Sequence, residues 1–162
     1  MNLKKIILIN FAVFFSFIVI IEIIFGYWFK DNNFGIYLRS ERNVKQIITY
    51  HHNNNKIKHT YKRNFYAFRG GEFEPSEVKI VFLGGSTGNQ RFTPEKYTIV
   101  GMLNKLFEKN NLNLKIFNAS TDGKSTRGYI NDFLYWFPKI PNFNPKIFIF
   151  YIGINDSNFS SE

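Results

Sequence analysis

Apolar residues run almost unbroken through residues 6–29, IILINFAVFFSFIVIIEIIFGYWF, behind a short basic leader at residues 1–5. At about 1.5 Å of rise per residue, roughly 20 such residues cross a hydrocarbon core about 30 Å thick. The pattern therefore predicts a transmembrane helix. Asn10 and Glu22 lie toward its ends, where polar groups reach the interface, and Tyr27 and Trp28 stand where an aromatic belt forms. A secretory signal has a shorter apolar stretch that ends in small residues. No A-x-A-like site occurs here, so the segment reads as an uncleaved anchor.

Residues 31–77 break this pattern. They are polar and rich in Asn, and HHNNNK at residues 51–56 has no periodicity and reads as loop. A short helix is predicted around residues 39–49 and a strand near residues 60–68. From Val78 onward, apolar runs alternate with amphipathic ones. VKIVFLGG, LNLKIFNAS and PKIFIFYIG read as buried strands. Between them, PEKYTIVGMLNKLFEKN sets Ile99, Met102, Leu103, Leu106 and Phe107 on one helical face behind Pro94. TRGYINDFLYWF is a second helical pattern, ended by Pro138. Such alternation predicts an α/β domain: a mostly parallel sheet in a three-layer α/β/α, flavodoxin-like arrangement, with helices over both faces. The plan is leader and anchor (1–29), polar basic linker and lead-in (30–77), then the α/β domain (78–162).

Composition narrows this further. At 44% hydrophobic and 19% aromatic, the chain is too apolar to be disordered. With no cysteine it has no disulfide framework, thiol nucleophile or zinc-finger spacing, and neither metal nor cofactor is implied. The net charge is +9, and residues 39–69 hold eight Arg and Lys against Glu41 alone. This stretch reads as a solvated linker; its functional alternative is attraction to anionic lipid head groups or an acidic polymer. No nucleic-acid module accompanies it, so nucleic acid is not an expected partner. Lys4 and Lys5 favour a cytoplasmic N-terminus, against the opposite pull of Lys30, Arg39 and Arg42. A short basic leader of the signal-anchor type exports the C-terminal part of its chain. The expectation is a single-pass protein of the cytoplasmic membrane with its C-terminal domain on the extracytoplasmic (periplasmic) side.

Three motifs begin where predicted strands end, and the carboxyl ends of parallel strands share one edge of a sheet. Ser86, Gly123 and Asn155, distant in sequence, can therefore converge. Gly84-Gly85-Ser86-Thr87-Gly88 sets a serine in a sharp turn, where glycine tolerates unusual backbone angles and leaves room for a substrate carbonyl. Its plain reading is an ordinary strand-to-helix turn. NASTDG at residues 118–123 ends in a glycine whose N–H can face the site, and Gly153-Ile154-Asn155-Asp156 offers a side-chain amide. The N–H groups of Ser86 and Gly123 with the Asn155 amide would make an oxyanion hole for acyl transfer. Asp122 and Asp156 read as turn-stabilising residues.

In this order, Ser86, Gly123 and Asn155 resemble the first three signature residues of the SGNH (GDSL-like) hydrolase superfamily, over about residues 64–156. NFYAFRGGEFE at residues 64–74 looks like the lead-in of its membrane-anchored members, and Gly85 stands where the G-D-S-L form has Asp. The resemblance implies a serine ester hydrolase, or an O-acyltransferase using the same acyl-enzyme, acting on an extracytoplasmic acylated glycan or lipid. It makes Ser86 the nucleophile, puts Gly123 and Asn155 in the oxyanion hole, and calls for a C-terminal Asp-x-x-His block. That block does not occur before Glu162, so residues 78–162 read as a partial, C-terminally truncated domain, inactive as it stands. His51, His52 and His59 precede the nucleophile and read as solvated loop histidines. Three alternatives stand beside this. Gly84-x-Ser86-x-Gly88 also fits the nucleophile elbow of α/β-hydrolases, but no HGGG-type motif precedes it and YIGIND is left unexplained. Gly123-Lys124-Ser125 lacks the phosphate-loop glycine five positions earlier, where Asn118 stands. A membrane-tethered binding or scaffold protein on the same fold would need no base.

Overall fold

The computed structural model describes residues 2–26, 41–53 and 55–157. The chain divides into two compact units, with the break after Gly35. In the first, α1 (Leu3–Phe25) is one helix of 23 residues with no buried side chain. Over its 18 most apolar consecutive residues the mean hydropathy is 2.7, and a helix apolar on all sides is suited to lipid rather than water. It is long and apolar enough to cross a membrane. The Asn2 side chain accepts from the Lys4 N–H at its start, and Ser16 turns its hydroxyl onto the Ala12 carbonyl at 2.8 Å. The predicted aromatic belt at Tyr27 and Trp28 lies outside the described residues, as do the flanking Lys30 and Arg39.

The second unit opens with an antiparallel hairpin. β1 (Val44–His52) pairs with β2 (Asn55–Arg63), from Val44 opposite Arg63 to His52 opposite Asn55. It replaces both the helix predicted at residues 39–49 and the loop predicted at residues 51–56. Val44, Ile48, Tyr50, Ile57 and Tyr61 share one face with period two, a strand pattern that the intervening Lys, His and Thr residues mask. Nor does the strand predicted at residues 60–68 continue. After Arg63 the chain doubles back: the Asn64 side chain accepts from the Phe68 N–H at 2.8 Å, and Ala67 takes a left-handed φ of 65°. Arg69 then donates its N–H to the Asn118 carbonyl at 2.8 Å, which joins this segment to the sheet.

That sheet is parallel. β3 (Ile80–Gly84) lies between β4 (Ile116–Asn118) and β5 (Ile147–Tyr151). The chain thus leaves β3 for one side and later returns to the other, the arrangement that opens a crevice at the carboxyl ends of the strands. On one face Ile80, Phe82 and Ile116 pack with Val100 of α3 (Ile99–Lys109), joined by Leu103, Phe107 and Ile149. Met102 and Leu106, predicted on this face, are 57% and 52% exposed. The helix is rotated because Asn104 docks on β4, accepting from the Ile116 N–H at 2.8 Å and donating to its carbonyl at 3.0 Å. The other face is aromatic. Phe148 of β5 meets Phe133 at 4.7 Å between ring centres, and Phe68 meets Trp136 at 5.2 Å. Phe133 and Trp136 belong to the stretch after α4 (Thr126–Asn131), which widens into a π-helical turn at Asp132–Trp136 and closes with a 3-10 turn around Pro138. β3 and β4 are buried throughout, but β5 is an edge strand whose Ile147 and Tyr151 are about half exposed. The cover predicted over both faces reaches β5 only in part.

Phe68 is fully buried against Trp136, Phe137 and Phe143. Phe68→Ala is therefore expected to cost about 3–5 kcal/mol in chemical denaturation. A cost near zero would show that residues 64–74 are a linker outside the core.

Candidate functional site

The loops after β3, β4 and β5 meet at one edge of the sheet. Ser86 is exposed at the start of α2 (Ser86–Asn89), a single turn directly after β3. Gly123 sits in the turn after β4 with φ +71° and open space where a side chain would be. Asn155 lies just beyond β5, and its amide nitrogen donates to the carbonyl of Lys124, next to Gly123, at 2.9 Å. The same nitrogen lies against Gly85, where a β-carbon would collide with it. Asn155 thus touches the residue before Ser86 and the residue after Gly123. One amide hydrogen is used in this bond and one remains. Among the described residues, neither the Ser86 nor the Gly123 N–H takes part in a backbone hydrogen bond between elements.

The glycines of the first motif are required by closeness and not by backbone angle. Gly84, Gly85 and Gly88 all lack positive φ. A β-carbon at Gly84 would come within 3.2 Å of the Ser120 hydroxyl and the Tyr151 carbonyl, and one at Gly88 within 2.6 Å of the same hydroxyl. Loop-to-loop bonds complete the assembly. The Thr121 N–H donates to the Gly84 carbonyl at 2.9 Å. The Asp156 carboxylate accepts from the Thr126 N–H at 2.8 Å, and Asp122 accepts from the Asn89 amide at 2.9 Å. Both aspartates, expected to stabilise their own turns, instead tie separate loops together.

Two buried arginines support α2 from below. Arg63 and Arg69 are 4% and 5% exposed. Arg63 donates to the Tyr61 hydroxyl (3.1 Å), the Asn89 side chain (3.3 Å) and the Ser120 carbonyl (3.0 Å), and also to the Ala67 carbonyl. Arg69 donates to the Asn89 carbonyl, to the Thr93 carbonyl at 2.6 Å and to Glu95 at 2.7 Å. These two belong to the basic stretch that reads as a solvated linker in sequence. The one signal of their burial is the setting of Arg69 in an aromatic run, FYAFR.

A second buried pair stands beside Gly123. Lys124 Nζ lies 2.7 Å from Asp132 Oδ1, with both side chains largely buried, and 5.2 Å from the centre of the Trp136 ring. Burial pushes the Asp132 carboxyl up from 3.8 to about 6, with Lys124 and then Arg63 opposing. Burial also lowers the Lys124 ammonium, against the pull of Asp132. No sequence pattern marks this pair, since its members stand eight positions apart.

Beside Ser86 is a cleft of about 460 Å³ lined by Thr87, Arg91, Phe92, Ile99, Asp122 and Tyr151, among others. A larger hollow of about 670 Å³ lies next to Lys79 and Lys115, ahead of β3 and β4 and away from Ser86; chemistry in parallel sheets belongs to the other end. The histidines are elsewhere. His51 and His52 are on β1 and His59 is on β2. His59 is half-buried edge-on to Tyr50 with both ring nitrogens unpartnered, so it is not a solvated loop residue. Among the described residues no group of three or more His, Asp or Glu is placed to hold a metal ion. Compared with family models, with curated proteins and with solved structures, the chain gives no match.

Two outcomes are expected. Gly85→Ala should destabilise the chain by about 1–3 kcal/mol through its clash with Asn155. In a double-mutant cycle with Asn155→Gly much of that cost should vanish, and simple additivity would contradict the contact. The Asp132 carboxyl should titrate near pH 6 by carbon-detected NMR. Because the folded value exceeds the unfolded one, this carboxyl's contribution to stability is present below about pH 4 and lost as pH rises through about 6. A midpoint near 4 would refute the burial argument.

Proposed function

We propose that this protein is a membrane-anchored serine ester hydrolase of the SGNH (GDSL-like) kind, or an O-acyltransferase that uses the same acyl-enzyme. In this reading α1 spans the cytoplasmic membrane, the domain faces the extracytoplasmic side, and the sheet is the core of a three-layer flavodoxin-like fold. The observation that carries it is the position of the Asn155 amide, between Gly85 and the Lys124 carbonyl. This brings the serine, glycine and asparagine loops to one point.

The chemistry derives from that arrangement. The Ser86 hydroxyl attacks the acyl carbonyl and gives its proton to a base. The N–H groups of Ser86 and Gly123 and the free Asn155 amide hydrogen stabilise the resulting oxyanion. Collapse breaks the ester bond, the alcohol leaves with the proton, and water or a sugar hydroxyl then takes the acyl group from Ser86. The cleft suits an acyl ester, with apolar Phe92, Ile99 and Tyr151 on its wall and polar Arg91 and Asp122 beside them. The SGNH reading assigns the base to an Asp-x-x-His block, which residues 1–162 do not contain. That no described histidine lies on these three loops favours a second reading, a tethered binding protein on the same scaffold.

The test uses the full reading frame expressed in membranes, with an activated acetyl ester as substrate. Ser86→Ala should abolish turnover, and Asn155→Ala should lower kcat by about 100- to 1,000-fold with little change in KM. Esterase activity that survives Ser86→Ala would overturn the enzyme reading. Ligand binding without turnover in the unmodified chain would favour the binding protein.

A further inference from the structure

The hairpin has two unlike faces. On the inner one, Tyr61 and Arg63 are buried and Ile48, Tyr50, Ile57 and His59 are partly covered. The outer face is exposed along its whole length, and its register pairs Lys45 with Lys62, Ile47 with Thr60, Thr49 with Lys58 and His51 with Lys56. Four lysines thus project from one side of a two-stranded ribbon whose strands contain no carboxylate. Among the described residues none of the four forms an ion pair. Like charges set directly opposite each other destabilise a ribbon, so Lys45 and Lys62 carry an electrostatic cost that an anionic partner would relieve. Ile47, 64% exposed in the midst of these charges, adds an apolar contact of the kind that enters a lipid interface.

We propose that this outer face docks on the anionic head groups of a phospholipid bilayer. The partner is indicated by the chain itself. Only residues 26–43 separate β1 from α1, the helix long and apolar enough to cross a membrane. A second contact made by a tethered group benefits from high effective concentration, so weak attraction to an anionic surface suffices. A soluble acidic polymer would offer the same charge without this advantage. The proposal does not depend on Ser86 chemistry.

The chain contains no cysteine, so a single reporter can be placed cleanly. The full chain carrying Thr49→Cys, labelled with an environment-sensitive fluorophore, is reconstituted in nanodiscs of phosphatidylcholine alone or with one-third phosphatidylglycerol. The label should be shielded and quenched by head-group nitroxide lipids only in the anionic discs. Salt near 1 M, where the Debye length is about 3 Å, should release it. At about a fivefold change per lysine, Lys58→Gln should lower the docked-to-undocked ratio about fivefold, and glutamine at all four lysines several hundred-fold. A label at Leu134→Cys, exposed on the segment after α4, should not respond. An equal signal in both discs, or an anionic-lipid response unchanged by the lysine substitutions, would overturn the proposal. So would shielding by added dextran sulfate without any response to phosphatidylglycerol, which would assign the face to an acidic polymer.

Discussion

Burying a guanidinium group is costly unless its donors find acceptors, and this molecule buries two under one turn of helix, with Arg63 Nε left without a partner. Arg63 and Arg69 draw their partners from β2, the doubled-back segment after it, α2 and the loop after β4. Asn89 is the shared member. Its side chain accepts from Tyr61 and Arg63, its amide donates to Asp122, and its carbonyl accepts from Arg69. Loss of any one acceptor would leave charge unsatisfied in a low-dielectric setting, so the segments are fixed relative to one another. Ser86, three residues before Asn89, inherits that rigidity. In the proposed enzyme, a nucleophile that meets its substrate at a defined distance would need such support from behind.

The parallel sheet is legible in sequence because β3, β4 and β5 are apolar runs bounded by glycine, asparagine or proline, and no helical period competes with them. The hairpin is not. Its inward residues alternate with Lys, His and Thr, so local hydrophobicity stays low, and its burial depends on contacts with residues far along the chain. The face of α3 is misplaced by sequence for a related reason. Hydrophobicity favours Met102 and Leu106, but Asn104 supplies the backbone partners that edge strand β4 lacks, and this turns the helix. The π-helical turn at Asp132–Trp136 has no local signature either. It sets Asp132 toward Lys124 and Trp136 into the aromatic layer, and both are tertiary demands.

The candidate site is legible in outline because loops at the ends of parallel strands converge by topology alone. Its finer logic is not, since the GGSTG glycines suggest strained backbone angles. They instead admit neighbours: Ser120 against Gly84 and Gly88, and Asn155 against Gly85. A side chain at any of these positions would push apart the loops whose meeting defines the site. The glycines here with positive angles are Gly123 (φ +71°) and Gly153 (φ +126°), where nothing crowds and the turns themselves make the demand.

Charge distribution gives this arrangement its direction. Arg63, Arg69 and Lys124 place positive charge beneath and beside the crest where Ser86 lies, with Glu95 paired to Arg69; a fixed positive field there would favour the oxyanion of the proposed ester chemistry. Asp132 offsets part of that field, and burial weakens its own hold on negative charge. On the hairpin the cations divide by role. Arg63 faces inward, where a planar fork of donors can satisfy several carbonyls at once, while the four lysines face outward, where a mobile point charge keeps its water until a partner arrives. Arginine inside and lysine outside on one pair of strands is what a ribbon requires if it is to brace the loop carrying Ser86 with one face and meet an anionic surface with the other.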